Sequence, residues 1–217
     1  MQNKILISGF DPFGGEPINP ACELLRLMSG KHLEGYRIVT QEIPTARFRA
    51  IEILCSAITR EDPAMIIALG QSGGCHEIAV ERVAINVDDY RIPDNDGNQP
   101  LAQRIEEDGP DAYFSTLPVR AMAKAMNDAG IPAEVSFTAG TYVCNDMLYR
   151  LMHAIATDHP GVRGGFMHVP YATQQATRLP SATPSMSLET MTAGIALAVG
   201  AALATERDVS VSAGTTH

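Results

Sequence analysis

Residues 64–69, Ala-Met-Ile-Ile-Ala-Leu, form an unbroken apolar run. So short a run reads as a strand buried on both faces, and such a strand needs a covering layer on each side of its sheet. The rest of the chain offers both sheet and cover. Strand signals fall at 4–10, 36–43, 78–87, 133–137 and 165–169, and helical periodicity at 20–28, 47–60, 118–127, 145–157 and 188–205. Asn19 and Pro20 open the first helix as an N-cap followed by proline at the first helical position. Segment 88–111 is crowded with Pro, Gly, Asn and Asp, so it reads as a long loop or hairpin excursion. Loops of that length often serve as lids or binding loops.

This alternation predicts one α/β domain over residues 1–205, three-layered, with a mixed, mostly parallel twisted sheet flanked by helices. Residues 206–217 are polar and are expected to form a flexible tail. At 217 residues and 45% apolar content, the chain can bury one substantial core. A net charge of −9 argues against a nucleic-acid partner, which would require a basic face. The N-terminus enters a strand without the apolar core of a signal peptide, and the apolar stretch 192–204 is too short to span a bilayer. A cytoplasmic protein with no membrane partner is expected. The four cysteines, Cys22, Cys55, Cys75 and Cys144, are scattered without a CxxC pair, which suits a reducing compartment and speaks against a metal site.

In sheets of this class, sites form where loops leave the carboxyl ends of strands. Loops 9–15, 70–74 and 140–143 and the turn after His168 qualify. No GxGxxG follows the first strand and no GxxxxGK[ST] occurs, so nucleotide binding has little support. Cys144 ends a strand-and-turn stretch just ahead of a helical pattern, where helix dipole and unpaired N–H groups favour a thiolate. Cys22 and Cys55 lie on helical patterns as small buried residues, and Cys75 follows a glycine loop with no helix start. A cysteine nucleophile needs a base and a group to orient it. His168 stands at the carboxyl end of a short strand, the right place for a base, although a strand histidine bonded to backbone would look the same in sequence. Glu81 is a charge in an apolar run; it is either a solvent-facing edge residue or a buried acid in want of a partner, with His168 and Arg91 as candidates.

Two blocks carry a resemblance that goes further. Gly70-Gln-Ser-Gly-Gly-Cys-His-Glu-Ile-Ala-Val-Glu-Arg-Val-Ala-Ile-Asn86 and Ser136-Phe-Thr-Ala-Gly-Thr-Tyr-Val-Cys-Asn145 look like the glutamate and cysteine signatures of the pyrrolidone carboxyl peptidases, or pyroglutamyl peptidases I, a family of cysteine exopeptidases. The likeness runs from the opening Ile5-Leu-Ile-Ser-Gly-Phe-Asp-Pro-Phe to His168-Val-Pro-Tyr171, most of the chain. It implies Cys144 as nucleophile, His168 as general acid/base and Glu81 as the acid that orients it, with no cofactor and no metal. It also implies N-terminal pyroglutamyl peptides as substrates. Phe10, Phe13, Tyr142 and Val143 would form an apolar slot for the ring, with Gln71 near its polar edge and Arg91 assisting. Family members often form tetramers, so a homo-oligomer is expected. Two positions depart from the family pattern: Ala79 stands where Ser or Thr is usual, and Tyr142 where Phe is common. A phosphate-dependent nucleoside-cleaving enzyme of similar fold, or an inactive binding protein, are the competing readings. Indifference to thiol alkylation would mark the first, and binding without cleavage the second.

Overall fold

The computed structural model describes residues 3–214. Strand β1 (Lys4–Phe10) leads into α1 (Pro20–Met28). The start of α1 is set by Asn19, whose side chain accepts from the Ala21 N–H while Pro20 occupies the first helical turn. The short strand β2 (His32–Leu33) is followed by β3 (Tyr36–Ile43), α2 (Arg49–Glu61), β4 (Met65–Gln71), β5 (Ile78–Glu81), β6 (Val83–Ile85) and β7 (Ala112–Phe114). The second half holds α3 (Val119–Asp128), β8 (Ala133–Ser136), α4 (Val143–Thr157) and β9 (Arg163–Val169). It closes with β10 (Tyr171–Ala172), α5 (Thr173–Ala176), β11 (Ser185–Met186) and α6 (Leu188–Ala204).

Seven strands form the main sheet in the order β2-β3-β1-β4-β9-β5-β8. β1 is parallel to both β3 and β4, and β4 is parallel to β9. β5 runs antiparallel to β9 yet parallel to β8, and β2 is antiparallel to β3. The sheet is therefore mixed and mostly parallel, as the alternation predicts. The apolar run that opened the sequence reading becomes β4, at the centre of the sheet and buried from Met65 to Gly70.

Because successive strand side chains face opposite ways, the sheet carries a core on each face. Ile5, Ile7 and Ile67 join Met122, Met126, Ile195 and Val199 beneath α1, α3 and α6. Leu6, Ile66 and Phe166 join Leu54, Leu148 and Leu151 beneath α2 and α4. Three layers result, with the sheet in the middle.

The structure departs from the sequence expectation in three places. The strand expected over 78–87 is two strands, broken at Arg82: β5 belongs to the main sheet, while β6 pairs with β7 in a separate antiparallel ribbon. At the break the Arg82 N–H donates to the Ser136 carbonyl, and its guanidinium donates to the Ser115 carbonyl beside the Phe114 ring, which anchors the chain as it leaves the sheet. Helix α4 begins at Val143, so Cys144 lies inside its first turn and not ahead of it. The elements β2, β7, β10, β11 and α5 are too short for periodicity to register. In segment 206–214, the Asp208 carboxylate accepts from the Arg120 and Ala121 N–H groups at the start of α3, and residues 215–217 of the expected tail lie outside the described residues.

Candidate active site

Three neighbouring strands and one helix end bring the candidate residues together at the carboxyl edge of the sheet. His168, near the end of β9, is paired across the backbone with Gly70 of β4 on one side and Ala79 of β5 on the other. Glu81 ends β5, so β5 and β9, though antiparallel, bring the two side chains into contact. His168 Nδ1 lies 2.7 Å from Glu81 Oε1. Glu81 is only 1% exposed, and its Oε2 has no hydrogen-bond partner among the described residues. The other ring nitrogen, Nε2, is left for Cys144, which neighbours the imidazole in the same cavity. The Phe166 ring packs 4.8 Å from the imidazole, centroid to centroid, and closes off its other flank.

Gly70 explains how the sulfur fits here. A Cβ at this position would stand 2.7 Å from Phe166 Cζ and 3.1 Å from Cys144 Sγ, so only glycine lets α4 bring the thiol down onto the sheet. Cys144 is half-buried, in the first turn of α4 behind Tyr142, which makes no side-chain cap. The Asn145 and Asp146 N–H groups bond to the Tyr142 carbonyl. Those of Val143 and Cys144 have no acceptor among the described residues, so two donors and the positive end of the helix dipole face the sulfur's surroundings.

The electrostatics are decided by opposing effects of similar kind. Burial disfavours a charged His168, but the charge and hydrogen bond of Cys144, with those of Glu81, outweigh it and raise the imidazole to about 10. At neutral pH the ring is therefore an imidazolium.

These groups open into a cavity of about 510 Å³. Of the residues expected around it, Phe10, Phe13, Gln71 and Tyr142 line it together with Glu81, Cys144 and His168. The rings of Phe13 and Tyr142 stand 6.1 Å apart, and Tyr142 donates to the Pro93 carbonyl at 3.2 Å, so its hydroxyl ties the wall to the long loop. Gln71 Oε1 accepts from Gln175 Nε2 at 2.8 Å, which orients the amide. Two expected residues are not brought in. Val143 is fully buried in the core beneath α4, because the first helical position turns its side chain toward the sheet. Arg91 is exposed and does not line the cavity; its carbonyl accepts from Gln99. Ala79, one of the departures from the family pattern, lines the cavity.

Sequence reading missed two supports. Asn145 donates to the carbonyls of Ile85 and Val87 and accepts from the Ile85 N–H, bolting the start of α4 to β6. Gln175 holds Gln71, the Ala172 N–H and the Ile18 carbonyl. An amide following the cysteine was a usable signal for the first; nothing in the sequence marked the second.

A thiol beside an imidazole that is itself held by a buried carboxylate, at the carboxyl edge of an α/β sheet, is the equipment of a cysteine hydrolase. The chain belongs to the pyroglutamyl peptidase family, whose family model matches residues 3–205. It is 51% identical over 216 residues to a pyrrolidone-carboxylate peptidase of Bacillus cytotoxicus, covering 100% of both chains. It is 47% identical to one from Yersinia pseudotuberculosis, again over 100% of each. Among solved structures, the pyroglutamyl peptidase I of Bacillus amyloliquefaciens superposes with a TM-score of 0.94 at 42% identity, over 98% of this chain and 100% of that one. The pyrrolidone carboxyl peptidase of Thermococcus litoralis gives 0.93 at 37% identity, over 97% and 100%.

Proposed function

We propose that this protein is a cysteine exopeptidase that hydrolyses the amide bond after an N-terminal pyroglutamyl residue, with Cys144 as nucleophile, His168 as general acid and base, and Glu81 as the group that orients the imidazole. What carries this reading is the His168 ring held at 2.7 Å by the buried Glu81 and facing the same cavity as the Cys144 sulfur beside it. The Cys144 sulfur, as thiolate, adds to the carbonyl carbon of the pyroglutamyl residue. The developing oxyanion is held by the free N–H groups of Val143 and Cys144. The C–N bond then breaks as His168 delivers its proton to the leaving amine, and a thioester remains. Water, giving up a proton to His168, attacks that thioester and releases pyroglutamate, and the thiolate is restored. Glu81 keeps Nδ1 protonated and the ring aimed throughout.

The substrate preference follows from the wall. A lactam is compact and uncharged, and the aromatic faces of Phe10, Phe13 and Tyr142 suit it. An ordinary N-terminal residue would have to desolvate its ammonium there without a partner. Work in the reducing cytoplasm suits an enzyme whose nucleophile must remain a free thiol. Assembly as a homo-oligomer, in tetramer form, is supported by apolar side chains left at the surface of adjacent helices, Leu27 of α1 and Leu197 of α6.

The decisive experiment is turnover of a pyroglutamyl-amide reporter by the wild type and by Cys144→Ser. Release by the wild type and none by a folded Cys144→Ser is expected. Equal turnover by the two would overturn the reading.

A further inference from the structure

Beneath the cavity, outside the groups already assigned, lies a second cluster of ionisable side chains. Asp88, in the loop after β6, is fully buried, and Asp146, two residues beyond the nucleophile in α4, is 1% exposed. Arg47, just before α2, places its Nε 2.7 Å from Asp88 Oδ2. Arg150 of α4 donates from Nε to Asp146 Oδ2 at 2.8 Å, from Nη2 to the Ile105 carbonyl at 3.0 Å, and from Nη1 to Glu106. Apart from the Arg47 ion pair, neither Asp88 oxygen has a hydrogen-bond partner among the described residues, and Asp146 is the neighbouring acid, so a proton kept on one of the two carboxyls supplies the hydrogen bond this buried pair otherwise lacks. Charge counting agrees. Two guanidiniums face three carboxyls, and the set is balanced when one carboxyl is neutral.

The rest of the environment gives that proton a function. The Tyr90 phenol is buried beside both aspartates without a hydrogen-bond partner among the described residues, and its ring packs 4.8 Å from that of Tyr142. Asp94, also buried, is taken up by the Arg47, Asp96 and Asn98 N–H groups. The loop that carries Asp88 is tied to the segment before the nucleophile: the Asp89 N–H donates to the Thr141 carbonyl, the Thr141 hydroxyl to the Asp89 carbonyl, and the Tyr142 hydroxyl to that of Pro93. Residues 88–93 are thus a strap across the segment that forms one cavity wall. Asp88 and Asp146 fasten it to the helix of Cys144.

We propose that Asp88 and Asp146 are a positioning pair for the reaction: one proton shared between their buried carboxyls holds the 88–93 strap, and with it the Tyr142 wall, against the start of the nucleophile helix. The inference rests on the function proposed above only in what the strap serves. Burial and the neighbouring Asp146 push the Asp88 carboxyl up to about 7 against the pull of Arg47. Loss of the proton as pH rises leaves two buried anions face to face and one charge without a counterpart. The strap then loosens, and binding of the ring suffers before the chemistry does. Asp88→Asn keeps a donor toward Asp146 and an acceptor toward Arg47 but has nothing to titrate.

The test is the pH dependence of KM and kcat for a pyroglutamyl-amide reporter between pH 6 and 9. Wild-type KM is expected to climb at least threefold while kcat changes less, and Asp88→Asn is expected to match the wild type at pH 6 and stay flat. A flat wild-type KM, or an identical climb in the variant, overturns the proposal. Hydrogen exchange over residues 86–93 of the wild type, corrected for intrinsic rates, needs neither the variant nor turnover. Faster opening at pH 9 than at pH 6 supports the pair even if the proposed activity is wrong, and unchanged protection sinks it.

Discussion

His168 Nδ1 and Glu81 Oε1 stand 2.7 Å apart although 87 positions separate the residues in the chain. The contact exists because Ala79 of β5 is paired with His168 of β9, so Glu81, two residues further along β5, presents its side chain on the same face of the sheet as the imidazole. A carboxylate buried to 1% has no bulk water to turn to and holds the ring in one orientation.

Replacing that acid without changing its shape therefore isolates the orienting role. Glu81→Gln is expected to lower kcat by on the order of 10³- to 10⁴-fold with the fold intact, since an amide can donate to Nδ1 and stabilise the wrong tautomer. The imidazole proton should also be released at lower pH in the variant. Steady-state kinetics with an NMR titration of His168 checks both, and a loss under tenfold would remove Glu81 from the mechanism.

The pH profile follows from the direction of the His168 shift. Its folded value, about 10, lies above the ordinary 6.5, so the protonated ring persists through neutral pH and is lost only as pH rises through the folded value. By linkage, the stability this group contributes is fully present below the ordinary value and disappears over the same climb to about 10. The expected kcat/KM profile keeps leaving-group protonation up to that limb. A full loss of activity centred near the ordinary histidine value would contradict the imidazolium assignment.

Gly70 offers a purely steric test. A methyl group there would sit 3.1 Å from Cys144 Sγ and 2.7 Å from the Phe166 ring, so Gly70→Ala should displace the sulfur or the ring that backs His168. A fall in kcat of about 10²-fold is expected for a displacement near 1 Å. Alkylation of Cys144, followed by mass spectrometry, should slow in parallel. Wild-type rates in this variant would mean the sulfur has more room than the geometry allows.

Asn145 should matter through stability. Its side chain makes three hydrogen bonds to the backbone of Ile85 and Val87 from a position 1% exposed. Asn145→Ala leaves those partners unpaired and is expected to cost about 2–3 kcal/mol. Urea unfolding would show it as a lower midpoint with an unchanged slope, and an unchanged midpoint would mean water replaces the amide at no cost.

Much of this was already present in the order of residues. The run at 64–69 required a sheet covered on both faces, and the alternation around it supplied the layers. Asn19 and Pro20 marked the start of α1 through local backbone chemistry alone, and Cys144 was recognisable as a thiol at a helix start. These signals act within a few residues, which is why sequence order preserves them. What the tertiary structure decided is everything that depends on strand order. The antiparallel β5 joined Glu81 to His168, a choice that the sequence had left open between burial and an edge. The same break in strand direction ended β5 at Arg82, where periodicity had suggested one continuous strand. The first turn of α4 turned Val143 into the core and away from the cavity, and the long loop kept Arg91 outside it. The paired carboxyls of Asp88 and Asp146 have no sequence signature at all. Their nearness depends on the packing of a loop against a helix 58 positions away, and only the folded chain supplies the burial that pushes the Asp88 carboxyl up.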